Sequence, residues 1–351
     1  MTTLKNHIQN LIEENGPISI AHFMELCLTH PKLGYYTGRD PLGREGDFIT
    51  APETSQMFGE LIGLFMADYW LGLGSPKPFH FIELGPGRGT LMADALRAIK
   101  IIPGMAESIH VHFLEVSPAL MAKQKKAVPE ATWHETLDDI PFGCSFIIAN
   151  EFFDCLPIRQ FVMTDSGWAE RMVGLEGEGL VFTLSEKNLP SNLPMTAEIG
   201  NIFEVCPQAG YWMDAIASKL MTSGGMGLII DYGYSAQGFE DTFQAIQKHE
   251  YADVLQNPGA CDLTAHINFH DLKTRGQNAE LDVYGPVFQG EFLQTIGLEH
   301  RASQLLKSAN RPQEKEILAA VKRLVDEGEM GTLFKVLAMV KKDYPAPAGM
   351  A

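Results

Sequence analysis

The chain has 351 residues, 45% hydrophobic and 20% charged, with a net charge of −17. This is an ordinary globular composition, enough for one large domain or two modest ones around a sizeable core. The acidic balance disfavours a non-specific nucleic-acid binder, which needs a basic surface, and suits a partner with exposed basic groups.

In chain order, Leu4, Ile8, Leu11 and Ile12 recur at helical spacing, and Gly16-Pro17 ends that helix. This first segment carries Glu13 and Glu14 and no long apolar stretch, so it reads as neither a signal nor a transit peptide. No apolar run in the chain reaches the roughly 18 residues of a membrane span. Ser19 is expected to cap a second short helix through Cys27. Residues 31–56 are rich in Gly and Pro, hold Tyr35, Tyr36 and Phe48, and read as a long ordered loop of the kind that carries function. A helix over about 57–71 follows.

From residue 79 the pattern alternates between strand and helix. A buried strand at 79–84 runs into Gly85-Pro86-Gly87-Arg88-Gly89, then a helix to about 100. A second strand over 109–116 ends on Glu115, and Ser117 caps a helix to about 128. A short third strand at 132–134 precedes a fourth at 145–149, followed by Asn150-Glu151-Phe152-Phe153-Asp154. A fifth strand, 226–230, ends on Asp231. Such alternation predicts a mostly parallel sheet covered on both faces. Between the fourth and fifth strands, 159–163, 169–173 and 180–184 read as a meander with Gly turns, and a helix is expected over about 198–221. Residues 235–310 are mixed, 314–327 form an amphipathic helix, and 333–340 a terminal strand that closes the sheet.

The cysteines Cys27, Cys144, Cys155, Cys206 and Cys261 lie far apart with no CxxC pair, which implies free thiols in a reducing compartment. His110 and His112 would share one face of a strand, and His266 and His270 could share a helix face. Neither pair has a third ligand at zinc-type spacing, so no metal is expected.

The glycine-rich turn has two readings. A dinucleotide-binding turn would need Gly at position 90, where Thr90 stands; the pattern is instead E-x-G-x-G-x-G from Glu83 through Gly85, Gly87 and Gly89. In class I methyltransferases S-adenosylmethionine sits over such a turn, with no pyrophosphate to hold. Glu115 would accept two hydrogen bonds from a ribose diol. An acid at this strand end also serves NAD enzymes, so a dehydrogenase is an alternative, and a tight strand–helix connection with a surface Glu is the plainer one.

The segments GDFITAPETSQMFGELIG (46–63), ELGPGRGTLM (83–92), ANEFFDCLPIRQF (149–161), EVCP (204–207), DYG (231–233) and DLTAHINF (262–269) resemble, in order and over nearly the whole chain, the MidA-like S-adenosylmethionine-dependent methyltransferases. The resemblance implies an α/β fold, a class I methyltransferase (Rossmann-like), mostly parallel seven-stranded sheet with a helical N-terminal extension and β and helical insertions. On that reading 1–75 is the extension with a loop covering the cofactor, and 76–351 the methyltransferase domain with insertions at about 157–200 and 235–310. It also implies S-adenosyl-L-methionine as cofactor and a protein arginine as acceptor. Eukaryotic members are complex I assembly factors of the mitochondrial matrix, reported as protein arginine methyltransferases; a bacterial chain without a presequence would be cytoplasmic. The chain departs from the family at Asn268, where an acid is expected, at Phe288, where a small hydroxyl residue is usual, and at Cys155 in place of Ala. If position 268 matters to substrate choice, the acceptor of this chain differs from the family's; the sequence leaves that open.

Methyl transfer is an in-line displacement that depends on positioning and charge. A guanidinium is a protonated fork that carboxylates can hold in bidentate fashion. Glu151 and Asp154, just past the fourth strand, are the candidate clamp, with Asn150 beside the cofactor. Known arginine methyltransferases place paired acids at the same topological position, which is an analogy of fold. The plain alternative for each acid is a solvated or helix-capping role. His266 is a candidate for the acceptor pocket or else a core histidine. Asp47, Thr50 and Ser55 would supply the polar groups of a lid, sealed by Phe48. Arg88 either meets the methionine carboxylate or pairs with an acid, and Asp231 and Tyr232 read as structural. Two other functions stay open: methylation of a small molecule, and a cofactor-binding assembly factor without catalysis. The sequence leaves the oligomeric state open.

Overall fold

The computed structural model describes residues 3–38, 50–191, 193–247 and 250–350. The chain divides into two units. One comprises Met1–Phe48, Asp154–Tyr211 and Ala236–His266, and the other Ile49–Phe153, Trp212–Ser235 and Ile267–Ala351.

The second unit is built on a mixed sheet of eight strands. The strands β1 (Phe79–Leu84), β2 (Ile109–Leu114), β3 (Thr132–His134), β4 (Cys144–Asn150) and β5 (Gly225–Tyr234) are parallel, in the order β3-β2-β1-β4-β5. A two-residue strand, β6 (Ile267–Asn268), runs parallel to the end of β5. The strand β7 (Leu281–Phe288) is antiparallel to β8 (Phe334–Lys341), which is antiparallel to β5. All of β1, and β4 beyond Cys144, is buried, as the apolar runs FHFIEL and SFIIAN require of a sheet covered on both faces. The fold class is therefore α/β, as expected. The sheet has eight strands rather than seven, because β6 is too short to leave a pattern in the sequence.

The order β3-β2-β1-β4-β5 reverses direction at β1, so the connections after β1 and β3 leave on opposite sides. In such sheets a crevice opens at the carboxyl ends of the strands, where ligands bind. The helices α1 (Ala51–Thr54), α2 (Gln56–Gly72), α3 (Thr90–Ile99) and α4 (Pro118–Ala127) belong to this unit. Ser55 caps α2 through the Met57 N–H, and Ser117 caps α4 through the Leu120 N–H. The α2–α3 contact is close enough that a Cβ at Gly63 would stand 2.7 Å from the Ala95 Cα. Buried Glu60 of α2 accepts from Arg97 of α3 at 3.0 Å and from Arg301 at 2.7 Å. These contacts tie α2 to the sheet unit, so the units do not divide at residue 75, the boundary expected for an N-terminal extension.

The first unit packs the helices Leu4–Asn15 and Ile20–Thr29, capped by Thr3 and Ser19, around a core that includes Ile8, Phe23, Cys27, Val173 and Leu263. Its larger sheet is antiparallel: Gly167–Glu176 pairs with Ile18–Ser19, Arg159–Thr164 and Gly179–Ser185, and Arg159–Thr164 pairs with Ile202–Val205. A smaller sheet joins Gln244–Gln247, Glu250–Ala252 and Asp262–Thr264. The helix expected from 198 begins only at Pro207 and runs Pro207–Ser223. Pro suits a first helical position, and the residues before it are taken by the strand. Glu204, in the EVCP segment, accepts from Gln160 Nε2 at 2.6 Å and from the N–H and hydroxyl of Thr242. That motif is a structural tie. Among the described residues no helix is long and apolar enough to cross a membrane.

Candidate active site

Strand β1 delivers Glu83 and Leu84 to the glycine-rich turn at its carboxyl end. Gly85, Gly87 and Gly89 have φ of 61°, 53° and 82°, all in the left-handed region that glycine enters without a Cβ penalty. The Gly85 N–H donates to the Leu114 carbonyl at 3.0 Å and the Gly89 N–H to the Pro86 carbonyl at 2.7 Å, which closes the turn before α3. A Cβ at Gly85 would stand 2.8 Å from Cδ2 of Phe152. That glycine admits a ring as well as opening backbone to a ligand.

Glu115 follows β2. Its Oε1 accepts the N–H groups of Val116 and Ser117, both at 2.8 Å, and its Oε2 accepts Gln124 Nε2 at 2.9 Å. Burial raises its pKa, and these bonds oppose the rise. The same Gln124 Nε2 donates to the Gly87 carbonyl at 2.8 Å, while its Oε1 accepts Trp133 Nε1 at 2.7 Å. Gln124 is fully buried in α4 and fixes the acid relative to the turn. Sequence reasoning missed it, since one amide in a polar helix carries no signal.

Glu83 is 3% exposed, its Oε2 has no hydrogen-bond partner among the described residues, and burial pushes its carboxyl up to about 8. Asn150 ends β4, the strand beside β1. Its Nδ2 donates to Glu151 Oε1 at 3.2 Å, and its buried Oδ1 likewise has no partner among the described residues. Two orphaned acceptors at the ends of adjacent strands are costly unless something donates to them. They suit a ligand that carries a cationic or hydrogen-bond-donating group.

Glu151 has φ 50°, rare for a residue with a side chain. Its N–H donates to the Ile230 carbonyl at 2.9 Å, and its Oε1 accepts the Ala51 N–H at 2.8 Å. Glu53 Oε1 accepts the Thr90 hydroxyl at 2.5 Å. Residues 51–53 are thus bonded both to Glu151 and to the first residue of the helix that follows the glycine turn. Thr50 stands at the N-cap of α1 without a side-chain cap bond, and the Ser55 hydroxyl is engaged in capping α2. Ser55 also lines a cavity of about 300 Å³ with Thr54, Leu305, Gln313 and Glu316. Asp47 and Phe48 lie outside the described residues.

The structure places Glu83, Gly85, Gly87, Gly89, Glu115, Asn150, Glu151, Thr50 and Ser55 in one unit, and Asp154 and His266 in the other. Asp154 is buried, and its carbonyl accepts the Ala265 N–H at 2.9 Å. The His266 N–H donates to the Thr242 hydroxyl at 2.9 Å. His266 precedes β6, whereas His270 lies in the helix Phe269–Asn278, so the two do not share a helix face. Asn268 caps that helix through the Asp271 N–H at 3.1 Å, a task that an acid performs equally well. Phe288 stands at the N-cap of Gln289–Thr295, where it forms no cap.

Comparison with known proteins gives the family. The model of a family described as "Putative S-adenosyl-L-methionine-dependent methyltransferase" matches residues 61–287. A Drosophila melanogaster protein named "Protein arginine methyltransferase NDUFAF7 homolog, mitochondrial" is 37% identical over 374 residues, covering 96% of this chain and 84% of its own. The Homo sapiens "Protein arginine methyltransferase NDUFAF7, mitochondrial" is 35% identical, with 97% and 84% covered. A Burkholderia thailandensis protein solved with S-adenosyl-homocysteine bound superposes with a TM-score of 0.86 at 25% identity, over 99% of this chain and 93% of that one. The glycine turn, the acid at the second strand end and these matches together make the chain a member of this family of S-adenosyl-L-methionine-dependent methyltransferases.

Proposed function

We propose that this methyltransferase acts on arginine side chains of a protein, and that Glu151 receives the guanidinium. The observation that carries the proposal is the Glu151 backbone at φ 50°, with its carboxylate held by the Ala51 N–H and the Asn150 amide. A left-handed residue with a Cβ costs about 1–2 kcal/mol, and such strain concentrates at functional sites. Relatives at 35–37% identity named protein arginine methyltransferases support the choice of acceptor. The net charge of −17 favours encounter with a basic protein. The proposal rests on Glu151; Asp154 and His266 lie in the other unit.

The residues present fit the cofactor. The orphaned oxygens of Glu83 and Asn150 suit its ammonium end, the backbone of Gly85, Gly87 and Gly89 permits close approach, and Glu115, held by Gln124, would accept from ribose hydroxyls. S-adenosylmethionine, when bound, supplies a methyl group on a sulfonium. The chain's own part is to bind that donor, orient the acceptor nitrogen towards it, and hold the guanidinium by the Glu151 carboxylate; the S–CH3 bond breaks as the N–CH3 bond forms, and the acceptor nitrogen gives up one N–H proton to solvent, so the acceptor keeps its single positive charge. The strands β1–β5, β7 and β8 in the order β3-β2-β1-β4-β5-β8-β7 support a class I methyltransferase sheet to which β6 is added. The segments Met1–Phe48, Asp154–Tyr211 and Ala236–His266 are then the additions to that core.

The test is methyl transfer from tritiated S-adenosylmethionine to a protein extract from cells that lack this gene, followed by acid hydrolysis. Label in methylarginine, reduced at least 100-fold by Glu151→Gln, supports the reading. Label in another residue or in small molecules only, or transfer unchanged by Glu151→Gln, overturns it.

A further inference from the structure

Strand β5 is a buried apolar run that ends Ile229-Ile230-Asp231-Tyr232, and Asp231 is 0% exposed. A carboxylate so placed must be offset by hydrogen bonds. Its Oδ2 accepts the N–H groups of Phe152 at 3.1 Å and Phe153 at 3.0 Å, and its Oδ1 accepts the Tyr232 N–H at 2.9 Å. The preceding residue, Ile230, accepts the Glu151 N–H through its carbonyl. Two residues of β5 therefore take three successive N–H groups of the turn after β4. That turn contains the left-handed Glu151 and the Phe152 ring, which packs where a side chain at Gly85 would stand and lies edge-on to Trp212 with centroids 5.2 Å apart.

We propose that Asp231 is a positioning residue for methyl transfer: it holds the Glu151–Phe153 turn so that Phe152 walls the glycine turn, and cofactor affinity depends on it through that ring. The proposal rests on the reading of Gly85 as part of the cofactor site. Asp231 acts through Phe152 on one side and the Glu151 backbone on the other. Asp231→Asn is isosteric but turns one oxygen into a donor, so either the Tyr232 N–H or the Phe152 and Phe153 pair loses its acceptor. Phe152→Leu keeps all three bonds to Asp231 and removes only the ring.

The experiment is calorimetric titration of S-adenosylhomocysteine into the wild type, the two single variants and the double variant. Each single change is expected to weaken binding at least tenfold. The double variant is expected to lose no more than the worse single, because both act on one contact. Folded Asp231→Asn with a Kd within twofold of the wild type overturns the proposal, and so do losses that multiply in the double variant, as a merely structural role would give. If Asp231→Asn fails to fold, Asp231→Ser takes its place in the same cycle with the same criteria, and a Kd of Phe152→Leu within twofold of the wild type overturns the proposal in either case. No acceptor is present in these titrations, so their outcome stands whether or not Glu151→Gln alters arginine methylation.

Discussion

The ring of Phe152 occupies the space that a side chain at Gly85 would need, 2.8 Å from the Cβ position, across the ends of two neighbouring strands. Gly85→Ala would meet both that ring and a backbone φ of 61°, which costs about 1–2 kcal/mol for a residue with a Cβ. The expected result is a lower melting temperature and at least tenfold weaker S-adenosylhomocysteine binding, measured by calorimetry.

Glu83 sets a pH dependence with a definite sign. Its carboxyl is raised by burial from 4.5 to about 8, so the folded protein binds a proton there that the unfolded chain releases. Stability from this group is fully present below pH 4.5 and is lost as pH rises through 8, a few kcal/mol in all. Glu83→Gln should therefore be more stable than the wild type at pH 8.5 and lose that advantage towards pH 4.5, read from urea midpoints. If the cofactor ammonium pairs with Glu83, binding at pH 7 releases a proton. Titration heats in buffers of different ionisation enthalpy would show it, and Glu83→Gln would abolish it.

Three imidazoles run in a row across the sheet. His80 Nδ1 lies 2.8 Å from His112 Nε2, and His112 Nδ1 lies 2.9 Å from His134 Nε2. The Phe142 carbonyl, 3.4 Å from His80 Nε2, is an acceptor only, so one Nε2–H tautomer throughout satisfies every bond. Burial lowers all three pKa values, that of His112 to about 3, and His110 and Lys219 oppose a further positive charge near His80 and His112. For a lowered histidine the unfolded chain takes up protons first, so stability is lost as pH falls from 6.5 towards the lowered values. A drop on the order of 2 kcal/mol between pH 7.5 and 5 is expected, and His112→Phe should flatten it.

Phe288 is 41% exposed at a helix N-cap and forms no cap bond. Its φ of −69° and ψ of 139° already suit a capping residue. Phe288→Ser should stabilise the protein by about 0.5–1 kcal/mol through a new bond to the N–H groups of the first turn. A thermal melt that shows no gain would assign more weight to the Lys335 ammonium, 5.6 Å from the Phe288 ring centre.

Features set by residues close together in the chain are legible in the sequence. Ser19 and Ser117 cap the helices expected of them. The meander before residue 186 pairs as its alternation and Gly turns require. The E-x-G-x-G-x-G run sits between a buried strand and a helix, with Glu115 at the next strand end. The helix start at Pro207 falls later than local pattern suggests, because a four-residue strand before it gains its partner only from Arg159–Thr164.

The α/β class, the glycine turn and the resemblance to a methyltransferase family are carried by spacing and backbone preference, which act within a few residues. What surrounds that turn depends on segments far apart in the chain. Ala51 reaches Glu151 across 100 positions, Asp231 grips Phe152 across 79, and Gln124 joins Gly87 to Glu115 from a helix with no distinctive pattern. Those contacts are single hydrogen bonds and ring packings between segments brought together by the parallel sheet. Their energy depends on a register that no local stretch of chain encodes.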